Sequence, residues 1–400
     1  REPNAYNLRQ IIMDFDFTEE QTLLRNMVQS FVQDNYDFDS RMKIVRSETG
    51  MSRENWSQFA ELGLLAAPFD ESFGGLGGGA VDTMIITEEF GKGLVTEPFL
   101  PTVVLCGGLL ERHGSDAQKD MHLPPLIGGE KIWALAYSEP KSRFNPANVQ
   151  TTAKQDGDGF VLSGLKSVVN GGPWADYLIV SARTSGEGWQ QDGISLFIVD
   201  KSADGVASQD YETIDGGRAA DISFENVKLS PESLLGTLDA GLPLLEEALD
   251  YGIAAICGEA IGGMHKAHQA TVEYCKTRNQ FGVAIGSFQA LQHRMVDMFM
   301  EYEQSVSLTY MVNMHVGGDA ASRTRAASGA KVQIGKAGRY IGQSAVHLHG
   351  GMGMSEELNV GHYFKRLAST DAQLGIIDYH LKRFGSSEAA QREYHMTNSL

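Results

Sequence analysis

EYCKTRNQFGVAIGSFQALQHRMVDMFMEY, residues 273–302, reads as the end of one helix, a short turn punctuated by Gly282 and Gly286, and the start of a long second helix. Phe288, Leu291, Met295, Met298 and Tyr302 recur by threes and fours, which puts them on one helical face and predicts a buried seam. At the turn stand Arg278, Gln280, Phe281 and Gln289: a cation, two amides and an aromatic ring beside a core helix. A guanidinium there can grip a diphosphate with two parallel hydrogen bonds, and the ring can carry a flat heterocycle. A surface arginine at a turn and a phenylalanine plugging a core would read the same way, so the cluster by itself leaves both open.

Toward the C-terminus the helical period runs from Leu242 nearly to the end, with breaks at Gly317-Gly318, Gly350-Gly351 and Gly385. That predicts a four-helix bundle over 236–400. Before it, IWALAYSEP, GFVLSGLKSVVNGG, DYLIVSART, GISLFIVD and ADISFENVKL are short β-branched and aromatic runs divided by turn residues. They predict a central β domain over 126–235, a small barrel or sandwich. Residues 13–125 read as helical. Thr18-Glu-Glu-Gln21 has capping-box form ahead of Leu24, Met27, Val28 and Phe31, and further helices are expected at Trp56–Leu65, Thr83–Lys92 and Thr102–His113. The glycine-rich FDESFGGLGGGAVD at 69–82 is no dinucleotide fingerprint, because it follows helices and no βαβ alternation surrounds it. The fold class is therefore α+β and multi-domain: an N-terminal all-α domain, a central β-barrel or sandwich, and a C-terminal four-helix bundle. Residues 1–12 read as an extension ahead of Met13.

With 400 residues and 42% apolar content, several filled cores are available. A net charge of -18 repels nucleic acid and anionic membrane surfaces, so neither is expected as a partner. No apolar run approaches the ~18 residues of a membrane span, and the first residues lack the apolar core of a secretory signal. Cys106, Cys257 and Cys275 form no CxxC pair and read as reduced packing residues, which points to a cytoplasmic location.

The domain order, together with AYSEP (136–140), LKSVVNGGPWADY (165–177), RNQFG (278–282), FQALQHRMVDM (288–298) and HLHGGMGMSEE (347–357), resembles the acyl-CoA dehydrogenase family of flavoproteins from Met13 to Phe384. The resemblance implies FAD, an acyl-CoA substrate desaturated between its α and β carbons, and electrons passed to an electron-transfer flavoprotein. It implies that Tyr137, Ser138, Val168 and Asn170 line the isoalloxazine ring. Relatives carry an aromatic-aliphatic-Thr trio where this chain has Val168, Val169 and Asn170, which leaves Asn170 to hydrogen-bond and no ring to stack. From a neighbouring subunit, Arg278 is expected on the diphosphate, with Gln280, Phe281, Ile285, Phe288 and Gln289 around the adenosine and ribityl portion. His347, Gly350 and Gly351 are expected to bring backbone close to the cofactor. Such a shared site implies a homo- or hetero-tetramer built as a dimer of dimers.

His347-x-His349 could suggest a metal, but no further ligands stand at metal spacing, so none is expected. His349-Gly-Gly-Met-Gly resembles a lipase oxyanion loop, yet no GxSxG nucleophile turn is present. The catalytic base is the open question. The family's two base positions fall here on Leu374 and Gly252, and neither takes a proton. Asp250, Asp371 and Asp378 lie nearby; Asp250 is the weak candidate, and it reads more simply as a helix-face charge and Asp378 as a solvated or flavin-edge group. Gly252 and Gly375 could instead enlarge an acyl pocket. The local patterns Glu139-Pro-Lys-Ser-Arg143 and His362–Arg366 resemble small subunits of heteromeric acyl-CoA dehydrogenases acting on steroid side-chain or dicarboxylic acyl-CoAs, in which a partner carries the base. A purely structural subunit and a flavin oxidase on the same fold are the alternatives.

Overall fold

The computed structural model of the protein describes residues 16–387, so the extension at 1–12 and Met13 lie outside the described residues. The N-terminal domain comprises α1 (Glu19–Asn35), α2 (Phe38–Val45), α3 (Arg53–Glu61), α4 (Ala80–Gly93), a π-helical segment Leu100–Gly107 that runs on into α5 (Gly108–His113), and α6 (Asp116–Ile127). Thr18 and Gln21 close the expected capping box at 3.1 and 3.2 Å. The short helices α2 and α6 have no counterpart among the expected ones, and α6 contains Pro124 and Pro125.

Eight strands make one sheet in the order β6-β7-β3-β2-β4-β5-β8: β1 (Trp133–Ala136), β2 (Thr152–Asp156), β3 (Gly159–Asn170), β4 (Tyr177–Arg183), β5 (Ile194–Asp200), β6 (Val206–Glu212), β7 (Arg218–Leu229) and β8 (Leu234–Leu235). β1 pairs in parallel with β4, alongside β2. The five apolar runs are β1, β3, β4, β5 and β7. β2 and β6 escape the sequence pattern because their side chains are mostly polar and face solvent. The sheet curls into an open barrel: Phe160 of β3 and Phe197 of β5 have two strands, β2 and β4, between them in the order, yet their ring centroids are 5.0 Å from each other. Ala134, Leu178, Val180, Phe197 and Val199 fill the barrel, while Trp133, Leu135, Ile179, Leu196 and Ile198 join the core of the N-terminal helices. Burial on both faces is why these strands read as continuous apolar runs.

The C-terminal domain contains α7 (Gly241–Thr277), α8 (Gln289–His315), α9 (Ala320–His349), α10 (Asn359–Ala372) and α11 (Ile377–Ser386). The breaks at Gly317-Gly318 and Gly350-Gly351 stand where expected. Gly385 is a correction: it lies inside α11, and the last break is the turn 373–376. The bundle thus has three long helices and two short ones. α7 also packs directly on α4, where a Cβ at Gly91 would lie 1.9 Å from the Glu259 carbonyl and one at Gly262 2.0 Å from that of Glu88.

The three domains meet at one buried network. Arg366 of α10 pairs with Glu259 of α7 at 2.5 Å and with Asp215, in the β6–β7 turn, at 2.9 Å. Arg41 of α2 donates to the carbonyls of Asp215 at 3.0 Å and Leu94 at 2.9 Å. Buried charges persist only when paired, so this junction fixes the domains against one another and with them the cleft they enclose.

Candidate active site

The end of β1, the end of β3, the π-helical segment and the α10–α11 turn enclose a cleft of about 490 Å³. Tyr137, Ser138, Val168 and Asn170, all expected at an isoalloxazine ring, line it together, as does Leu374. Ser167 N–H donates to the Ser138 carbonyl at 2.9 Å and ties the two walls. Beneath them Lys166 is wholly buried, its ammonium donating to Glu139 at 2.7 Å, the Ser181 hydroxyl at 3.0 Å and the Tyr137 carbonyl at 3.4 Å. Glu139 also accepts from the N–H groups of Gln150 at 2.7 Å and Thr151 at 3.0 Å, which anchors the loop between β1 and β2. Burial works against the Glu139 charge, but the Lys166 ammonium and the backbone donors outweigh it and hold the carboxyl below its usual range. Burial pushes Lys166 down to about 8 against the pull of Glu139. Neither residue was expected in a role. The signal was present, since Phe160, Leu162 and Lys166 share one strand face by the period of two, and a lysine on an inward face needs a buried partner.

At Val168 the pairing of β3 with β7 slips, and this residue takes φ +54°. Its N–H donates to Asp221 Oδ1 at 3.0 Å, and its side chain turns outward, 56% exposed. A small aliphatic group therefore stands where an aromatic ring could have covered a bound heterocycle. Asn170 Nδ2 lies 3.5 Å from Gln373 Oε1, which joins β3 to the α10–α11 turn.

Gly252 and Leu374, 122 positions apart, come together behind the cleft wall that Leu374 forms with Leu105. A Cβ at Gly252 would lie 2.7 Å from Leu105 Cδ2 and 3.0 Å from Leu374 Cδ1. The expectation that Gly252 and Gly375 enlarge a pocket is therefore corrected: leucine fills the space at 252, and a Cβ at Gly375 would meet His380 Nε2 at 2.6 Å. The turn that presents Leu374, at φ +55°, is tightly fixed. His380 Nε2 lies 2.9 Å from the Leu374 carbonyl, and buried Lys331 donates to the carbonyls of Gly375 at 2.7 Å and Asp371 at 3.0 Å.

Asp250 is not at the cleft. It is buried, gripped by both terminal nitrogens of Arg383, one at 3.0 Å, and approached by Arg323 Nε at 3.5 Å. Asp371 pairs with Arg339 at 2.8 Å, and Asp378 is exposed in the first turn of α11. Among the described residues lining the cleft the one carboxylate is Glu139, whose oxygens are already engaged.

The remaining expected residues gather elsewhere. Strands β9 (Asn279–Gln280) and β10 (Val283–Ala284) form a minimal hairpin whose two-residue turn, Phe281-Gly282, has positive φ at both positions, the geometry that matches strand twist. Phe281 at its tip is 91% exposed and packs edge-on against Phe288 at 6.1 Å. Arg278, Gln280 and Gln289 are exposed, Ile285 is half-buried, and Arg278 forms no ion pair among the described residues. Tyr274, one turn before Arg278, stacks on His349 at 4.3 Å, and Arg294 contacts His347. The hairpin and the 347–351 turn thus form one surface, on which Cβ atoms at Gly350 and Gly351 would meet open space. His349 Nδ1 bonds the Ala345 carbonyl at 2.8 Å. None of these residues lines the cleft. The described residues thus present two separate surfaces whose chemistry suits parts of FAD: a concave slot of a kind that takes a ring system, and a projecting hairpin with a cation and an exposed aromatic ring of a kind that takes a dinucleotide.

The acyl-CoA dehydrogenase N-terminal, middle and C-terminal domain families match residues 18–130, 134–227 and 239–384. A short-chain-specific acyl-CoA dehydrogenase of Clostridium acetobutylicum is 30% identical over 375 residues, covering 91% of this chain and 96% of that protein. A solved Tcur3481-Tcur3483 steroid ACAD superposes with a TM-score of 0.85 at 29% identity, over 94% of this chain and 99% of that one. The ChsE4-ChsE5 complex of Mycobacterium tuberculosis gives 0.86 at 26% identity, over 94% and 99%.

Proposed function

The chain belongs to the acyl-CoA dehydrogenase family of FAD-dependent oxidoreductases, and we propose that within it the chain is the base-lacking subunit of a heteromeric enzyme. One observation supports this reading: Gly252 and Leu374, the two positions at which the resemblance leads one to expect the base, lie against each other, and neither carries a group that takes a proton. FAD bound in the cleft supplies the acceptor for the hydride that leaves the β-carbon. The chain's own groups bind and orient. Tyr137, Ser138 and Asn170 frame the ring slot, the Lys166–Glu139 pair fixes its walls, and Leu105 and Leu374 exclude water from the reacting carbons. Arg278, Gln280, Phe281, Ile285, Phe288 and Gln289, with the backbone at His347, Gly350 and Gly351, serve the cleft of a neighbouring subunit.

Exposed Val296, Phe299 and Met300 on α8 supply an apolar face for a tetramer made as a dimer of dimers. The chain's likeness to the ChsE4-ChsE5 complex and to the Tcur3481-Tcur3483 steroid ACAD supports a hetero-tetramer acting on a bulky acyl-CoA, with electrons passed to an electron-transfer flavoprotein. No described helix is long and apolar enough to cross a membrane.

The test is anaerobic mixing of the purified, FAD-loaded chain with butyryl-CoA and longer thioesters. Bleaching of the flavin at an ordinary enzyme rate without a second chain type sinks the proposal; no bleaching alone and rapid bleaching with a base-bearing homologue supports it. A purely structural role would show as one flavin per two chains with none lost when Tyr137 or Asn170 is substituted.

A further inference from the structure

Beside the cleft, at the three-domain junction, lies a second chamber of about 100 Å³. The two share Leu100, Pro101, Asn170, Thr213, Ser369 and Gln373 as a common wall, so they lie side by side with only side chains between them. Beyond that wall the chamber is polar. Thr96 is 7% exposed and its hydroxyl has no hydrogen-bond partner among the described residues. Glu97, Asp215, Arg218 and Arg366 stand around it, each less than a tenth exposed.

These charges are already matched. Arg366 is neutralised by Glu259 and Asp215, and Arg218 pairs with Glu212 at 3.1 Å and donates to the Val45 carbonyl at 3.2 Å. Glu97 accepts from Ser52 N–H at 2.9 Å and from the Tyr36 hydroxyl, and burial raises its carboxyl above the usual range. No cation is left over to receive an anion. A saturated hydrocarbon end would seal these polar groups from water without replacing the hydrogen bonds that water supplies. The volume exceeds the roughly 10–15 Å³ that a single water needs in a cavity and suits a small group of several heavy atoms.

We propose, resting on the acyl-CoA dehydrogenase reading above, that this chamber receives an uncharged, oxygen-bearing group, a hydroxyl or ketone, on the distal part of the acyl chain. The site then selects oxygenated acyl thioesters over plain saturated ones, with the Thr96 hydroxyl as the hydrogen-bonding partner.

Calorimetric titration of the FAD-loaded assembly decides it, using saturated acyl-CoAs of increasing length, their ω-hydroxy counterparts and their ω-carboxy counterparts. At one or more lengths the ω-hydroxy thioester should bind about fivefold tighter than its parent, the order of one net hydrogen bond. Thr96→Val should bring that ratio toward one, while Thr96→Ser, which retains the hydroxyl, preserves it. Parent thioesters that bind with no ω-hydroxy advantage at any length overturn the proposal, as does a preference for ω-carboxylates. If no acyl-CoA of any kind binds, the dehydrogenase reading itself falls, and this one with it.

Discussion

Lys166 and His380 each carry a consequence that a single substitution exposes. Lys166→Met leaves Glu139 as an uncompensated buried carboxylate, and breaking a buried pair from one side costs about 3–5 kcal/mol. Adding Glu139→Gln should recover part of that loss in urea denaturation; a loss in the double variant equal to the sum of the two single losses would show that the pair is not coupled. Burial pushes the His380 pKa from 6.5 down to about 3, so the folded state keeps this ring neutral where the unfolded chain binds a proton. Its contribution is fully present above pH 6.5 and is lost as pH falls toward 3, an effect on the order of a few kcal/mol. His380→Gln should flatten that part of the pH–stability curve, and an unchanged slope between pH 6.5 and 4 would contradict the assignment. At this level the sequence was partly readable. Motif residues around 137, 168 and 278 announced themselves by type, whereas Leu105 did not, because a leucine in an apolar helix carries no mark of what it touches.

The α10–α11 turn shows how an element can matter more than its composition. Its carbonyls are pinned by Lys331 and His380, so whatever side chain stands at 374 is delivered to the cleft. Leu374→Glu is therefore expected to raise the rate of flavin bleaching by acyl-CoA by about 10², the lower end of what a general base supplies. Gly252→Glu is expected to unfold the chain more easily, by at least about 2 kcal/mol, because its Cβ meets two leucines. Stopped-flow spectra and chemical denaturation of the two variants check both, and equal gains in rate would show that the leucines yield. The break at this turn was misplaced to Gly385 because glycine usually punctuates helices, whereas here Gly385 rides in α11 and Gln373 ends α10. In the same way the slip in β3 at Val168 and the polar strands β2 and β6 are set by pairing partners, which a local pattern does not contain.

Domain order was legible throughout, because helical and strand periods alternate in long blocks. That Arg278 and Tyr137 stand on different surfaces was not legible from the residues alone, since nothing in a linear string says that they fail to meet. In the folded chain they belong to separate surfaces, and the projecting one displays Phe281, Phe288, Met352 and Met354 to solvent. Burying that surface against a second chain is the simplest use for so much exposed apolar area. Sedimentation of the FAD-loaded protein, wild type beside Arg278→Ala, tests this most directly. Flavin should travel only with an assembly larger than one chain, and Arg278→Ala should shed it while the protein's thermal unfolding without flavin stays unchanged. A single chain that sediments alone and keeps its flavin with alanine at 278 would contradict the shared site.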